Sequence, residues 1–546
     1  MIHYAMAAQL GRGHSISLVH GVLRTPRWPR RLLSDATIDR IDMQALPWAL
    51  LPAVTFVVIT WVTVIWLALD RAPLFYDPVD HVSSALDFLN HPVEYLTREH
   101  QWYPPAVHVL LGAALALTRY DLDAAIAIVN VAFFAVLVAA TFAIGAELWS
   151  RRVGAIAAVL VSFYPATFVH LRFPMLDLPL TAMVTVSLLA LIKSRSFQDR
   201  RWSAAFGILA GLGCLTKQSY VFVAALPVLY VLFTAPRCKR TLVNLAIAGL
   251  PALLIALPWY LPRLHWFLGP WAEEQRAFAR SRGDVGTFTP FGLIYYLVGT
   301  WHQTSLALAL LWILTLPLFL QSERRALIVS WWAGTVALIT LLDLKDSRFL
   351  MPALPAIALM TARGLCRLRY SSAVIAAVAA FGVVQLWAAS FGVGWLPEGA
   401  PVSNGVYPGE RLQPFTQNYL LVSADTSQPD SSGWGIADGL ANLRGYVGVA
   451  GDKILYDAAR LPHLLQTQKA GHSSTSVALA SCEDLSQLAL FDLVVVQVGG
   501  PGSPVGSGEY DDCIRGMEEV GRIPVSTRNL LKGVSYLGVF RPLAGQ

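Results

Sequence analysis

Charged residues are scarce in this 546-residue sequence. Asp, Glu, Lys and Arg make up 14% of it, whereas about a quarter is usual in a soluble domain. Hydrophobic residues make up 55%, and the mean hydropathy is +0.52. The net charge of +6 does not indicate nucleic-acid binding, because the basic residues form short clusters between apolar runs. The composition excludes an ordinary soluble protein and predicts a chain whose main solvent is lipid.

Cysteine and a cleavable leader are also lacking. Five cysteines are too few for a disulfide scaffold. Cys482 and Cys513 lie in the polar C-terminal region, where they either pair, if that region is outside the cell, or stay free thiols. Residues 1–47 contain basic residues but no apolar core of signal-peptide length, so we expect a cytoplasmic N-terminal tail.

Long apolar stretches are plentiful. Residues 48–69 contain no charge and have the length of roughly 20 residues that a spanning helix needs. Loops rich in Lys and Arg, such as 193–201 and 237–240, should stay in the cytoplasm. Their alternation predicts about eleven spans, with the N-terminus inside and the C-terminus outside. The further candidate stretches are 124–146, 153–169, 178–192, 204–216, 219–235, 242–262, 304–320, 326–342, 350–362 and 373–395.

Two shorter apolar stretches, 104–118 and 288–302, break this alternation, and we assign them to helices on the outer surface or dipping into it. The sequence therefore predicts a polytopic α-helical membrane domain over 48–396, with a first outer loop at 70–103. From about residue 397 the composition becomes mixed. Residues 397–546 are predicted to form a small extracytoplasmic α/β domain, with candidate strands at 419–424, 453–457, 491–498 and 534–540.

With this topology, the ionisable residues near helix ends collect on the outer side. The first outer loop contains Asp77 and Asp80, and later outer segments contain Asp177, Lys217 and Arg348. A charge at the edge of the hydrocarbon costs a few kcal/mol unless it is paired or hydrated. Either cation alone could snorkel to lipid head groups. Both cations beside aspartates on one face favour a polar cavity.

Cations and carboxylates in one cavity suggest a reaction. The cations can hold a phosphate while one carboxylate takes a proton from an attacking hydroxyl. If the donor is a sugar attached to a polyprenyl phosphate, the phosphate that leaves is a weak base, and no general acid is required. Tyr76, Trp102 and Tyr103 could provide an aromatic platform for the sugar, or they could be interfacial anchors.

Several segments resemble a known family. Phe75-Tyr-Asp-Pro-Val-Asp-His-Val-Ser-Ser-Ala85 looks like the first outer-loop motif of the GT-C membrane glycosyltransferases, in particular protein O-mannosyltransferases and bacterial aminoarabinose transferases. Further matches follow in the family's order at 103–105, 173–181, 211–217 and 348–356. The resemblance covers residues 48 to about 395.

The resemblance implies that Asp77 is the catalytic base of an inverting transfer, with Asp177 as a supporting acid. It also implies that Lys217 and Arg348 contact the lipid phosphate. The chain departs from the family where the second acid of the loop motif is Pro78, so Asp80 could take part of that role. The other candidate substrate contacts are Tyr76, His81, Trp102, Tyr103 and Lys345.

Two more departures bear on the substrate and on a metal. The family's aromatic is His81 here, and Tyr103 replaces the lysine that precedes Pro-Pro in aminoarabinose transferases, which argues against that sugar. Some relatives bind a divalent metal, but no tight metal spacing is present here, so no cofactor is implied with certainty. The first metal candidates are Asp77, Glu99 and His100, and Asp80, His81 and Asp177 could also supply ligands.

We therefore expect an integral glycosyltransferase of the inner or plasma membrane. It would move a sugar from a polyprenyl-phosphate donor to an extracytoplasmic lipid, polysaccharide or protein acceptor, without nucleic acid as a partner. The alternative is a transporter or flippase for a lipid-linked saccharide. Such a protein needs polar sites near mid-membrane and usually an internal repeat, and the sequence contains no evident repeat. A non-catalytic scaffold would predict that Asp77→Asn is silent.

Overall fold

The structure is a computed structural model. It describes residues 46–74, 76–99, 101–368 and 371–391. Beyond residue 391 it describes five strands, residue 429 and helical residues at 461–462, 464–465 and 468–469. Residues 1–45 of the predicted N-terminal tail, Cys482 and Cys513 lie outside these residues, while residues 46 and 47 belong to the first helix. The boundaries of the three predicted domains therefore stay predictions.

Helices dominate the chain up to residue 391. A 3-10 helix, Ser347–Ala353, precedes α17. In order the helices are α1 (Leu46–Leu69), α2 (Asp77–Asn90), α3 (Pro92–Thr97), α4 (Ala106–Leu117), α5 (Leu122–Leu148), α6 (Arg151–Phe163), α7 (Pro165–His170), α8 (Asp177–Lys193), α9 (Arg200–Thr216), α10 (Tyr220–Thr234), α11 (Lys239–Tyr260), α12 (Leu264–Leu268), α13 (Pro270–Arg282), α14 (Pro290–Thr304), α15 (Leu306–Leu320), α16 (Arg325–Thr340), α17 (Leu354–Leu365) and α18 (Ser371–Phe391).

Each of the eleven predicted apolar stretches is largely helical. The stretch 153–169 is divided at Tyr164 into α6 and α7, because the residue before a proline is pushed out of helical geometry. Within the described residues, four helices are long and apolar enough to cross a membrane, and α14 with α15, bent by 117°, could make a fifth. The four are Trp48–Leu69, Leu122–Leu148, Lys239–Tyr260 and Ser372–Phe391. These helices agree with the expected multi-pass membrane protein, while the number eleven stays a prediction.

The centre of the helical domain is closely packed. Helices α6, α8 and α17 are buried around most of their circumference. Helices α5 and α6 approach through glycines, and a Cβ added at Gly154 would lie only 2.2 Å from the carbonyl oxygen of Phe142. Small residues permit such close backbone approach between membrane helices. Asp177, the first residue of α8, comes directly from this closely packed centre.

The C-terminal strands form one mixed sheet of five strands. Predicted strands 491–498 and 534–540 correspond to β3 and β5, whereas 419–424 and 453–457 lie outside the described residues. The strands are β1 (Val447–Ala450), β2 (Ser476–Ala478), β3 (Leu493–Val498), β4 (Met517–Pro524) and β5 (Tyr536–Pro542). Their order is β2-β1-β3-β5-β4, with β1 parallel to both neighbours and β5 antiparallel to both of its own.

A short segment of the C-terminal region packs on the helical domain. Leu461 and Leu465, which are 2% and 9% exposed, enter an apolar cluster with residues of α2, α4 and α5, among them Val79 and Val82. Their spacing of four places both leucines on one side of a helical turn. The C-terminal region thus touches α2, the helix that begins with Asp77.

Candidate active site

Asp77 is the first residue of α2, and its position depends on an unusual backbone. The preceding Tyr76 has a φ of 58°, a left-handed value that costs free energy in a residue other than glycine. Pro78 follows at the second position, where a missing N–H does no harm. The N-terminus of a helix carries partial positive charge. This end of α2 therefore favours the ionised form of the Asp77 carboxyl group.

Arg348 binds Asp77 from far along the chain. Its Nη2 donates to Asp77 Oδ2 at 2.7 Å across 271 residues. Its Nε lies 2.9 Å from Asp346 Oδ2, and its Nη1 contacts Met175 Sδ at 3.8 Å. The Arg348 backbone N–H also donates to Asp346 Oδ1 at 3.1 Å. The guanidinium group therefore lies between the carboxylates of Asp77 and Asp346, and its Nη2 donates to Asp77.

The environment keeps Asp77 ionised. Burial by itself would raise the pKa of Asp77, but the charge and hydrogen bond of Arg348, with His81 and Lys217, hold the pKa below its ordinary value of 3.8. Arg348 occupies Oδ2, so Oδ1 is the oxygen left for another group. Asp77 can therefore act as a proton acceptor at neutral pH.

Asp177 and Lys217 form a second ion pair. Asp177 begins α8 and is buried, and Lys217 directly follows α9. Lys217 Nζ donates to Asp177 Oδ1 at 2.7 Å. Among the described residues, Asp177 Oδ2 has no hydrogen-bond partner, although a buried polar atom usually has one. An ammonium group has three N–H donors, so Lys217 keeps donors for a ligand.

The two ion pairs belong to one cluster. Lys217 Nζ lies 5.1 Å from the ring centroid of Phe349, the residue after Arg348. Arg348 also interacts electrostatically with both Asp77 and Asp177. The structure thus brings together Asp77, Asp177, Lys217 and Arg348, which the sequence predicted to lie at one rim.

Two more predicted residues lie beside this cluster. His81 is one helical turn after Asp77, and its buried ring stands edge-on to Tyr103 at 4.7 Å between centroids. Both side chains interact electrostatically with Asp77. Tyr76 is half-buried next to Asp77, while Asp80 is exposed on the first turn of α2. Asp80 therefore contributes less to the cavity than Asp77, and its catalytic role stays a prediction.

Other predicted residues are engaged elsewhere. Lys345 Nζ donates to the carbonyl oxygens of Thr340 and Leu342 at 2.6 and 2.5 Å, where a cation complements the C-terminus of α16. Trp102 packs edge-on against Trp266 at 5.7 Å. Both side chains therefore stabilise the fold, and their role in substrate binding stays a prediction.

The metal candidates do not converge in the part of the chain that is described. Glu99 Oε1 lies 3.2 Å from His265 Nε2 in an exposed pair, and His100 lies outside the described residues. No group of three or more His, Cys, Asp or Glu side chains suitable for a metal occurs among the residues searched. A metal at Asp77, Glu99 and His100 stays a prediction.

Sequence reasoning gave no role to four residues near the site. Asp346 and Met175 hold Arg348, and Tyr95 and His108 continue from His81 as a buried hydrogen-bonded chain. The available signal was the occurrence of His108 within the apolar stretch 104–118, since a polar group there requires a partner.

Three comparisons with known proteins bear on the fold. The family model for dolichyl-phosphate-mannose-protein mannosyltransferases matches residues 103–266, a segment that contains Tyr103, Asp177 and Lys217. No curated protein matches the chain.

The structure is similar to that of ArnT from Cupriavidus metallidurans bound to undecaprenyl phosphate, with 16% identity and a TM-score of 0.59, over 92% of this chain and 99% of that one. It is also similar to the arabinofuranosyltransferase AftD from Mycobacteria, with 15% identity and a TM-score of 0.51, over 90% of this chain and 40% of that one. The expected GT-C fold and the resemblance to this group of proteins are confirmed.

Proposed function

We propose that this chain, which has the GT-C fold, is a membrane glycosyltransferase that transfers one sugar from a polyprenyl-phosphate donor to an extracytoplasmic acceptor with inversion. The observation that carries the proposal is the ionised Asp77 held by Arg348, next to the pair of Asp177 and Lys217. The family model supports a lipid-phosphate sugar as the donor, as does the undecaprenyl phosphate bound to ArnT.

Asp77 acts as the general base in this reaction. Arg348 holds Oδ2, so Oδ1 takes the proton of the acceptor hydroxyl as its oxygen bonds to the anomeric carbon. The bond between that carbon and the phosphate oxygen breaks, and the polyprenyl phosphate leaves with the electron pair. A single displacement from the face opposite the phosphate inverts the anomeric configuration.

Lys217 is the first candidate to bind the phosphate. The family resemblance implies this role for both Lys217 and Arg348, but the charge of Arg348 is already shared between the carboxylates of Asp77 and Asp346. Among the described residues Lys217 donates one hydrogen bond, to Asp177, and it carries a positive charge that a phosphate oxygen can approach. We therefore assign the phosphate mainly to Lys217, and the orientation of Asp77 mainly to Arg348.

Asp177 is then a positioning residue with a free buried oxygen. One carboxylate oxygen holds the Lys217 ammonium at 2.7 Å. The other, Oδ2, has no partner in the described residues and can accept a hydrogen bond from a hydroxyl of the sugar. The side of the membrane follows the distribution of basic loops, which assigns this cluster to the outer face and the acceptor to the extracytoplasmic space.

The transporter alternative receives less support from the sequence. Transporters are often built from internal repeats, and this sequence contains no evident repeat.

The donor can be tested with purified protein. Native mass spectrometry of the detergent-solubilised chain should detect a polyprenyl phosphate carrying one sugar, and Lys217→Ala should lose most of that lipid. Incubation with an acceptor extract, followed by NMR of the product, should give the anomeric configuration opposite to that of the donor. Binding of a nucleotide sugar instead of a lipid-linked sugar would contradict the donor class, and retained configuration would contradict the single displacement.

A further inference from the structure

A buried hydrogen-bonded chain leads away from the proposed site. His81 Nδ1 lies 3.1 Å from His108 Nε2, and His108 Nδ1 lies 2.6 Å from the Tyr95 hydroxyl. Gln101 Nε2 donates to the same hydroxyl at 3.5 Å. All four side chains are buried, and they come from α2, α4, α3 and the loop after α3. Such a chain of hydrogen bonds is unusual in an otherwise apolar stretch, and the donors and acceptors available to each side chain limit where its protons can lie.

Tyr95 sets the direction of the hydrogen bonds. Burial raises the pKa of Tyr95 above its ordinary value, so its hydroxyl keeps its proton and must donate it. Among the described residues the nearest acceptor is His108 Nδ1, at 2.6 Å. If Nδ1 accepts, neutral His108 carries its proton on Nε2 and donates it to His81 Nδ1. His81 then carries its own proton on Nε2. In the reverse direction the Tyr95 hydroxyl proton could go only to the Gln101 amide, which is 3.5 Å away, whereas His108 Nδ1 is 2.6 Å away and makes the stronger hydrogen bond.

The Nε2 edge of His81 is the edge that His108 does not use, and the ring lies one helical turn from Asp77. Nδ1 is used by His108, and Nε2 lies on the other edge of the ring, with no hydrogen bond to a described residue. His81 is one helical turn from Asp77 on the same face of α2, since residues four apart are neighbours on a helix. It also interacts electrostatically with Asp77, Lys217 and Arg348.

We propose that Tyr95 and His108 fix the tautomer of His81, so that His81 Nε2–H donates a hydrogen bond to a hydroxyl oxygen of the substrate bound beside Asp77. His81 binds substrate, and Tyr95 and His108 are positioning residues. Because His81 Nδ1 accepts the hydrogen bond from His108, the ring carries one proton, on Nε2, and does not compete with Asp77 for the acceptor proton. The inference rests on the proposed function for the nature of the substrate, but the direction of the hydrogen-bonded chain does not depend on it.

A neutral donor suits this place for a physical reason. A bare imidazole nitrogen would repel the lone pairs of a hydroxyl oxygen and would accept the hydroxyl proton in competition with Asp77. An N–H group binds that oxygen and leaves the hydroxyl proton free to approach Asp77. The resemblance to the glycosyltransferases places an aromatic at this position, so the donor would be particular to sequences with histidine here.

The hydrogen-bonded chain from Tyr95 through His108 to His81, here called the relay, is tested by removing one oxygen atom. Tyr95→Phe keeps the ring that packs against Phe88 and Trp259 but removes the donor to His108. Loss of one neutral hydrogen bond should lower kcat/KM by about 3- to 10-fold. The matched control is Tyr164→Phe, a buried tyrosine outside the relay, which should stay near the wild-type rate.

A double-mutant cycle separates positioning from general damage. In His81→Gln the side-chain amide supplies an N–H without any tautomer, so Tyr95→Phe should cost nothing further in that background. An equal loss in both backgrounds would overturn the relay. If hydrolysis of the donor by water shows the same loss as transfer, the hydroxyl belongs to the donor sugar; a loss in transfer alone assigns it to the acceptor.

The tautomer can also be measured without activity. In 15N-histidine-labelled protein in lipid, the His81 signals are identified by their loss in His81→Gln. Wild type should show a protonated Nε2 and a bare Nδ1, and Tyr95→Phe should lose this preference. A wild-type His81 protonated on Nδ1 would overturn the relay even if the enzyme transfers sugar. Conversely, a wild type without sugar transfer would refute the proposed function while the NMR result still decides the relay.

Discussion

Removing Arg348 should move the acid limb of the pH profile upward. The form of Asp77 that accepts a proton is the carboxylate, and Arg348 holds its pKa below 3.8 against the opposing effect of burial. The wild type should therefore lose activity only as the pH falls below that value. A charge-assisted hydrogen bond is worth about 1.5 to 3 kcal/mol, and one pKa unit corresponds to about 1.4 kcal/mol. Arg348→Gln should thus raise the Asp77 pKa by about 1 to 2 units.

The assay is the pH dependence of kcat/KM for sugar transfer in proteoliposomes, measured for the wild type and Arg348→Gln. Arg98→Gln is the matched control, because Arg98 pairs with Asp87 on the same helix α2 but is 40% exposed. The acid limb should move for Arg348→Gln and stay in place for Arg98→Gln. An unmoved limb, together with a large rise in KM for the donor, would refute the assignment of Arg348 to Asp77 and return it to the phosphate.

Three further predictions follow from the same contacts. Lys217→Ala should weaken polyprenyl phosphate binding by about 10- to 150-fold in a lipid-binding titration; unchanged affinity with lost turnover would argue against the phosphate role. Leu461→Ala should destabilise the protein by about 2 to 5 kcal/mol and expose α2 to limited proteolysis, unlike Val520→Ala at an exposed position; equal melting of the two variants would exclude the contact. Gly154→Val should prevent close packing of α5 and α6, so that normal yields of folded protein would contradict that approach.

The sequence predicted the helices well because apolar runs and basic loops reflect a strong physical constraint, the absence of water in the bilayer. It also predicted that Asp77, Asp177, Lys217 and Arg348 share one rim, because the predicted topology places all of them near helix ends on the side whose loops carry few basic residues. The alternation of helices along the chain is enough to predict which helix ends share a side of the membrane, and no contact between residues needs to be known.

The pairing within the cluster could not be predicted. Arg348 lies on a 3-10 helix between Asp77 and Asp346, and its contact with Asp77 depends on packing between segments 271 residues apart. Lys345 was also a candidate substrate contact, yet its ammonium group donates to the carbonyl oxygens of Thr340 and Leu342 at the end of α16. The relay from His81 to Tyr95 joins three helices, so its residues show no common pattern in the sequence.

The most direct test of the central claim is sugar transfer by Asp77→Asn. Membranes containing equal amounts of folded wild type, Asp77→Asn and the control Asp87→Asn would be supplied with a radiolabelled polyprenyl-phosphate sugar. Asp87 lies on the same helix and pairs with Arg98 near the surface. We predict that label reaches the acceptor with wild type and Asp87→Asn, and that Asp77→Asn binds the donor but transfers nothing. Transfer at the wild-type rate by Asp77→Asn would contradict the role of Asp77 as the base.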